Sequence, residues 1–496
     1  MSKVDTRTVV HHLAERGYTV SPAAAEALAG TPDPSAAIAA TADAAPEDVL
    51  TIKVEHIPSR WLGSSGSGNP PSSSGEVTDA GRSDSTSPLE TEGSSLDEVV
   101  ITGDVTGRST GTGEYAEFVG LFRDRLDRLG RLLEGRVPGQ SASALERGRG
   151  GSEAGMIGLV NDIRSTRNGH WMVELEDATG AFPALFMKDR EVSELVDVLL
   201  YDEVIGVEGR LSDDAGILFV ENAHVPDVPR THEPKTADRH VQAAMISDIH
   251  VGSKEFLEDA WSEFTTWLHS DEAEAIEYLL IAGDMVEGVG VYPNQDEDLA
   301  IVDVYAQYEQ FAEVMKGVPG DLELIMIPGN HDAVRLAEPQ PAFPEELVDA
   351  MDAHEAHITA NPSTVTVEGV PILMYHGSSL DEIIAQLPAD LASYEEPHRA
   401  MTELLRKRHV APLYGGKIRV APEERDYLTI DEVPSVFHAG HVHTMGVGTY
   451  RNVRVLNTGC WQAQTDFQRR NNLEPEPGRA AILDLDTLDV TVRKFI

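Results

Sequence analysis

The sequence is poor in cysteine and in long apolar runs. Its single cysteine, Cys460, excludes an internal disulfide and any zinc site built from several cysteines. No run of about 18 apolar residues occurs, so we predict no membrane-spanning helix. The first residues are polar and lack the apolar core of a signal peptide, which favours a cytoplasmic protein.

Positive charge is also scarce. The 84 acidic residues outnumber the 39 basic ones and give a formal net charge of −45, spread along the chain. One interpretation is an acidic surface for a partner. The one we favour is adaptation to a very salty cytoplasm, where dissolved ions screen the repulsion between carboxylates. At about 1 M salt the Debye length is about 3 Å, so the acidity does not exclude binding to nucleic acid.

The composition divides the 496 residues into four parts. Residues 1–60 carry Ala- and Leu-rich helical patterns, with Ser21-Pro22 at the start of one helix, and predict a small helical module. Residues 61–98 are dense in Ser, Gly and Pro and predict a disordered linker. We predict a barrel domain with a preceding helix over 99–235, and an α/β domain over 236–496.

Residues 155–225 alternate apolar and polar side chains with a period of two. Strand-like runs lie at 156–163, 170–176, 181–187, 203–211 and 216–223, with a helical stretch at 191–200. Five short strands with a helix between the third and fourth predict an OB barrel, although other small barrels fit almost as well. For most aromatic residues of this region core packing is a better interpretation than stacking on nucleic acid: Trp171, Phe182, Phe186 and Phe219.

From residue 240 onward, apolar strands alternate with helices. Strands are predicted at 243–246, 278–282, 323–327, 372–375, 435–439 and 453–457, and helices at 255–269, 300–316 and 344–353. A further helix is predicted ahead of the barrel, near 114–134. The alternation predicts an α/β fold in which helices cover the sheets.

Polar motifs follow five of these strands at their carboxyl ends, where α/β folds gather their ligand sites. The motifs read D-x-H, G-D, G-N-H-D, H-G and G-H-x-H, and their candidate metal ligands are Asp248, His250, Asp284, Asn330, His376, His441 and His443. Such oxygen and imidazole groups suit a pair of divalent ions. We expect Asp284 to bridge the ions. One ion is then held by Asp248, His250 and His443, and the other by Asn330, His376 and His441.

The order of these motifs resembles the calcineurin-like metallophosphoesterase superfamily, including G-D-x-V-x-x-G over residues 283–288. With the helical N-terminus, the Ser-rich linker, the OB-like barrel and the tail 457–468, the chain resembles the small subunits of archaeal family D DNA polymerases. The acidic composition then suggests a haloarchaeal source. Relatives in eukaryotic polymerases have lost metal ligands, but none is missing here.

The resemblance implies a β-sandwich of the calcineurin-like phosphoesterase type, flanked by helices, and a proofreading 3′→5′ exonuclease. It implies DNA and a large catalytic polymerase subunit as partners, with the sliding clamp as a further candidate and no membrane. The mixed ligand set suits two Mn²⁺ ions, with Fe or Zn as alternatives. Two such ions, about 3.5–4 Å apart, activate a water and clamp the phosphate.

His331 is left over once the ligands are assigned. It is the candidate catalytic residue, which stabilises the developing charge or protonates the leaving group. Asp332 either orients His331 or has a structural role. Two other functions are open: a stand-alone phosphoesterase acting on a small molecule or phosphoprotein, and a non-catalytic polymerase scaffold. The barrel and helical module argue against the first, and the complete ligand set argues against the second.

Two regions are candidate surfaces for the partner subunit, namely the barrel and the long segment 378–434. That segment contains a basic group in a chain otherwise short of positive charge: Arg399, Arg406, Lys407, Arg408, Lys417 and Arg419. Our slight preference is that this group contacts the phosphate backbone of DNA. The alternative is a solvated surface on which neighbouring glutamates balance the charge.

Overall fold

The structure is a computed structural model of the chain. It describes residues 99–293, 295–351 and 355–496, and in the N-terminal part residues 9, 12–13, 16, 19–20, 22–44, 51–52, 54–58 and 60–61. The chain divides into two compact units, Met1–Glu90 and Thr91–Ile496. The predicted linker lies outside the described residues apart from Trp61. Within the described ranges, no helix has the length and apolarity that a bilayer crossing requires.

The N-terminal unit combines helices with a short parallel strand pair. Its helices are α1 (Pro22–Ala29) and α2 (Pro34–Ala44), and its strands are β1 (Thr19–Val20) and β2 (Thr51–Ile52). Leu28, Ile38 and Ile52 are buried in a common core. A helix begins at Pro22, as predicted, whereas Ser21 lies outside the described residues. The strand pair was not predicted from the helical pattern.

The second unit begins with a strand and two helices, β3 (Val100–Thr102), α3 (Tyr115–Arg131) and α4 (Ala142–Glu146). Helix α3 begins with a capping box, in which the Glu114 and Glu117 side chains satisfy each other's backbone N–H groups. Strand β3 was grouped with the barrel by the predicted boundary. By its hydrogen bonds it extends a sheet of the following α/β part, since it pairs with residues 364–366.

The barrel is closed by five strands, β4 (Glu153–Ser165), β5 (Trp171–Asp177), β6 (Gly180–Phe186), β7 (Val204–Leu211) and β8 (Leu218–His224). The strand order is β4-β5-β6-β8-β7. A 3₁₀ helix, Glu191–Val198, lies between β6 and β7, where a helical stretch was predicted. Phe182 and Phe186 are buried in the barrel core, which confirms the core interpretation for these two aromatic residues.

The α/β part contains, among the described residues, two six-stranded sheets. Besides β3, the strands are β9 (Gln242–Ile246), β10 (Ile276–Ala282), β11 (Glu323–Ile327), β12 (Ala356–Ile358), β13 (Ser363–Val367), β14 (Val370–Met374), β15 (Val436–Ala439), β16 (Gly446–Tyr450), β17 (Val453–Asn457), β18 (Arg479–Asp484) and β19 (Val490–Lys494). The first sheet has the order β12-β11-β10-β9-β18-β19 and the second β16-β17-β15-β14-β13-β3. The helices are α5 (Glu258–Leu268), α6 (Val304–Met315), α7 (Glu345–Ala350), α8 (Leu380–Gln386), α9 (Pro397–Lys407) and α10 (Asp466–Arg470).

The two sheets pack face to face and are covered by helices on their outer faces. Met245 and Leu280 of the first sheet share a buried core with Ile372 and Val436 of the second. Helices α5, α6 and α7 bury their apolar faces on the first sheet, and α8 and α9 on the second. The predicted α/β class is confirmed, and burial on both faces explains why the strands read as continuous apolar runs.

The predicted basic group on residues 399–419 is only partly a free cationic surface, since Arg399, Lys417 and Arg419 are exposed while the other three cations are held inside the chain. Its contact with the phosphate backbone of DNA stays a prediction. Lys407 and Arg408 are each only 3% exposed. The Lys407 Nζ atom lies 2.8 Å from Glu203 of the barrel, and the Arg408 guanidinium donates to backbone carbonyls, including that of Ile430. Arg406 pairs with Glu403 on the same helix. Lys407 therefore fastens the 378–434 segment to the barrel, so part of each candidate partner surface is already used inside this chain.

A second ionic contact between the barrel and the α/β part centres on Arg125, which lies on the buried face of α3. Its Nε donates to Asp426 at 2.7 Å, and its Nη1 donates to the carbonyls of Pro412 (2.7 Å) and Asp202 (3.0 Å). Burial alone would raise the pKa of Asp426, but the Arg125 charge outweighs it and holds that pKa far below its usual range. Asp426 therefore stays ionised in the interior.

We predict that Arg125→Met lowers the free energy of unfolding by about 3–5 kcal/mol, because the buried Asp426 loses its guanidinium partner and keeps only its contacts with His409 and the Leu428 N–H. Chemical denaturation of the full chain measures the effect. Arg131→Met is the matched control, since Arg131 is an exposed residue at the end of the same helix. Equal loss of stability in both variants would show that the Arg125–Asp426 pair is not important for folding.

Candidate active site

The five motifs meet at one end of the two packed sheets. Strands β9, β10 and β11 run parallel in the first sheet, and β14 and β15 run parallel in the second. Each is followed within a few residues by its motif. Because carboxyl ends of parallel strands share one edge, the apolar strands carry polar side chains from distant parts of the chain to a common place.

One group of candidate ligands consists of Asp248, His250 and His443. His443 Nε2 lies 3.4 Å from Asp248 Oδ1 and 3.1 Å from His250 Nε2. Asp248 is fully buried, and its Oδ1 accepts no hydrogen bond from any residue that the structure describes. A buried carboxylate oxygen without a donor, facing two imidazole nitrogens, is suited to a divalent cation.

Asp284 lies between this group and a second one. Its Oδ2 is 3.8 Å from His250 Nε2 and 3.2 Å from His376 Nε2. Asn330 Oδ1 is 2.9 Å from the same His376 nitrogen. Asp284 is thus placed where a bridging carboxylate must be, with one set of candidate ligands on each side.

His441 is near the second group but is directed elsewhere. Its ring centroid is 5.2 Å from that of His376, and its Nε2 lies 3.4 Å from Asp381 Oδ2. Burial raises the pKa of Asp381, but the nearby His441 outweighs this and holds that pKa at about 2. The sequence places His441 on the second ion, whereas the structure also supplies it with a carboxylate partner that the motifs did not identify.

The electrostatics of the cluster favour positive charge. Burial alone would lower the pKa of His376, yet the carboxylate of Asp284 raises it to about 10. The pKa of Asp332 rises to about 6, first because Asp332 is buried and then because Asp284 is negative. A site that draws protons onto a buried imidazole is one in which a metal ion can replace those protons. The residues therefore fit a divalent-metal site.

The backbone is strained at the same positions. Asp248, His250, Asp284, His441 and His443 all have positive φ, between 54° and 74°. Residues with side chains rarely adopt this region, and each costs roughly 1–3 kcal/mol, so such residues persist where the surrounding structure enforces them and cluster at functional sites. Here the strained turns bring the ligand side chains inward from the strand ends.

Two motif glycines are required by close approach. A Cβ on Gly329 would lie 2.1 Å from Asp284 Oδ1, and a Cβ on Gly283 would lie 2.6 Å from His376 Nδ1. Gly283 also has a φ of +88°. Any side chain at either position would displace a candidate ligand, which explains why G-D and G-N-H-D begin with glycine.

His331, the predicted catalytic residue, lines the cavity over the cluster. Its Nδ1 lies 2.8 Å from the carbonyl oxygen of Glu287, which can only accept, so Nδ1 carries the proton and Nε2 remains for a substrate. Burial lowers the pKa of His331. Asp332 accepts from the backbone N–H groups of Asp284 and Gly329, both at 2.9 Å, which favours the structural role for this carboxylate.

Sequence reasoning missed two residues that hold the ligand imidazoles. Glu287 Oε2 lies 2.9 Å from His250 Nδ1, and Gln468 Nε2 lies 2.9 Å from His443 Nδ1. Burial raises the pKa of Glu287, but the charge of His250 outweighs it and holds that pKa at about 2. An acceptor such as Glu287 fixes the tautomer and orientation of a metal-binding histidine, whereas the Gln468 amide nitrogen donates to His443 Nδ1 and positions that ring. Two features of the sequence could have indicated these partners. Glu287 follows Asp284 by three residues, and Gln468 ends the tail 457–468 that carries part of the family resemblance.

A cavity of about 660 Å³ opens over the cluster. Its floor includes His250, Asp284, His331 and His443, and one wall is formed by part of the segment 465–475. The volume accommodates a nucleotide-sized ligand directly over the candidate metal ligands.

The chain is similar in sequence to known proteins over most of its length. The family model for the B subunits of DNA polymerases alpha and epsilon matches residues 243–445. The chain is 56% identical to the DNA polymerase II small subunit of Halobacterium salinarum over 98% of each chain. It is 42% identical to that of Archaeoglobus fulgidus over 76% of this chain and 77% of the other. A solved archaeal phosphodiesterase, 14% identical, aligns over 51% of this chain and 99% of its own with a TM-score of 0.25.

Proposed function

Because the chain belongs to the family of DNA polymerase II small subunits, we propose that it is the proofreading subunit of an archaeal replicative DNA polymerase. Its partners are then DNA and a large catalytic subunit. Its own reaction is hydrolysis of the terminal phosphodiester bond at a 3′ end of DNA, with two divalent ions. The sliding clamp is a further proposed partner that rests on the resemblance alone. The α/β part is proposed to have the calcineurin-like phosphoesterase fold.

The observation that carries the exonuclease proposal is the convergence of candidate ligands from five motifs around Asp284. Asp248, His250 and His443 would hold one ion. Asn330 and His376 would hold the other, with Asp284 between the two ions. His441, whose ring centroid lies 5.2 Å from that of His376, would join the second ion by turning from Asp381. The mixed imidazole and oxygen donors favour Mn²⁺, with Fe or Zn as alternatives. Bound ions would supply Lewis-acid activation of water and neutralise charge on the phosphate.

Other residues orient the ligand imidazoles and contact the substrate. Glu287 and Gln468 hold the outer nitrogens of His250 and His443, so that both rings keep their direction. His331 presents Nε2 toward the cavity and is proposed to stabilise charge on the leaving 3′ oxygen or to protonate it. A scaffold subunit would have no need of buried, strained and unsatisfied polar groups at this place.

The experiment that tests the proposal is digestion of DNA labelled at either end by the purified full chain, alone and with its large subunit. We expect shortening from the 3′ end, loss of cleavage in excess chelator and recovery on adding Mn²⁺. His240→Ala should cleave as the wild type does, because His240 contacts Asp486 in a separate group of His and Asp residues. Cleavage that persists in chelator would contradict a metal-dependent reaction, and no cleavage in any divalent ion would favour a scaffold.

A further inference from the structure

Apart from Gln468, the segment 465–475, here called the wall segment, has no role in the proposed chemistry. It begins with helix α10, whose N-terminus is fixed by a capping box. Thr465 Oγ1 accepts from the Gln468 backbone N–H at 3.2 Å, and Gln468 Oε1 accepts from the Thr465 N–H at 3.0 Å. The other end of the Gln468 amide contacts His443. The wall segment is therefore positioned directly against a candidate metal ligand.

Phe467, next to Gln468, is an unusual residue for this place. Its side chain is 60% exposed and lines the cavity over the candidate ligands. Single exposed apolar residues are common on protein surfaces and need no explanation by themselves. Phe467 differs because its helix is held both by a cap and by the contact of Gln468 with the candidate ligand His443. An apolar ring is thus kept at the mouth of a polar cavity.

The charge of the cavity limits what Phe467 can recognise. Among the described residues that line the cavity there is no lysine or arginine, whereas Asp381, Glu395 and Glu474 all line it. The walls therefore offer a nucleic-acid strand little cationic attraction for its phosphates. Stacking of a base on an aromatic ring needs no opposite charge, tolerates any base, and does not depend on salt as phosphate contacts do.

We propose that Phe467 stacks on the base of the last nucleotide of a single DNA strand and so places the terminal phosphodiester over the metal cluster. This inference rests on the proposed exonuclease function and adds to it the residue that contacts the terminal base of an unpaired 3′ end. A paired terminal base must first leave its duplex stack, which costs a few kcal/mol. A frayed or mismatched end avoids that cost. Phe467 would then be a specificity-determining residue for unpaired ends.

The test compares Phe467→Ala and Phe467→Trp on two single-stranded oligonucleotides, one with a normal 3′ nucleotide and one with an abasic 3′ nucleotide. Fluorescence anisotropy in chelator gives Kd, and cleavage with Mn²⁺ gives kcat and KM. For the normal end we expect Phe467→Ala to raise Kd and KM about tenfold, within the range measured for one stacked base. The abasic end should show no change, and tryptophan should restore binding. Tyr115→Ala, at an 84% exposed aromatic residue outside the cavity lining, is the control.

Two results would overturn the inference. The first is an equal effect of Phe467→Ala on normal and abasic ends, which would show that the ring does not contact the base. The second is loss of the large subunit on co-purification of Phe467→Ala, which would assign the ring to a protein interface. If the exonuclease proposal itself is wrong, the wild-type chain will cleave neither oligonucleotide, which distinguishes this outcome from the two above. The anisotropy measurement still decides the stacking contact in that case.

Discussion

Replacing His331 with alanine is expected to lower DNA cleavage by about 10²–10⁴-fold, the usual contribution of a positioned acid–base group. The residue is not assigned as a ligand, so Mn²⁺ binding should be unchanged. The His331 backbone N–H donates to Asp284 Oδ1 at 2.8 Å, and alanine keeps that hydrogen bond. The substitution therefore removes the imidazole while the proposed bridging carboxylate retains its backbone donor.

Single-turnover cleavage of a 3′-end oligonucleotide and calorimetric titration with Mn²⁺ together measure this prediction. His357→Ala is a suitable control, because His357 is a partly exposed residue of strand β12 that pairs with Glu323. Cleavage at the wild-type rate by His331→Ala would remove His331 from the chemistry. A parallel loss of Mn²⁺ binding would instead make it a metal ligand.

Asp284→Asn is expected to reduce the number of bound Mn²⁺ ions and to lower cleavage by about a thousandfold or more, because loss of metal-ion charge stabilisation costs several kcal/mol. The side chain keeps its size, so the close contact with Gly329 is retained. What changes is the charge between His250 and His376, at 3.8 and 3.2 Å. An amide cannot bridge two cations as a carboxylate does.

Asp489→Asn provides the matched control for Asp284→Asn. Asp489 is 78% exposed, and its carbonyl accepts from the N–H of Asp484, which pairs in register with Gln242 at the start of strand β9. It therefore lies at the opposite end of the sheet from the candidate site. Titration should find the wild-type stoichiometry in Asp489→Asn and a lower one in Asp284→Asn. Two ions bound with unchanged affinity in Asp284→Asn would disprove the bridging role.

Much of the fold could be predicted from local pattern. The runs at 243–246, 278–282 and 323–327 are apolar throughout because both sheet faces are buried, and each became a strand within a residue or two of the predicted bounds. The barrel strands were recognisable from their period of two, which arises where one face is buried. Strands at the sheet edges were harder to predict from sequence. The strand at 100–102 is only three residues long and depends on its pairing with β13.

The burial of charged side chains could not be predicted from the local sequence pattern. The sequence groups Lys407 and Arg408 with exposed cations, and only the packing of helix α9 against the barrel shows that both are buried. Arg125 likewise falls among the apolar residues of α3 and finds Asp426, which is 301 positions away in the chain. Burial of a charge is decided by distant partners, which a window of neighbouring residues does not contain.

The sequence alone determined the candidate ligands and their place at strand ends, because glycine, carboxylate and imidazole spacing is a local property. Only the tertiary structure decided how those side chains meet. It directed His441 toward Asp381, placed Glu287 and Gln468 behind the ligand rings, and set Phe467 at the cavity mouth. These contacts join residues far apart in the chain, and they depend on how the two sheets pack and on strained turns that no residue adopts by its own preference.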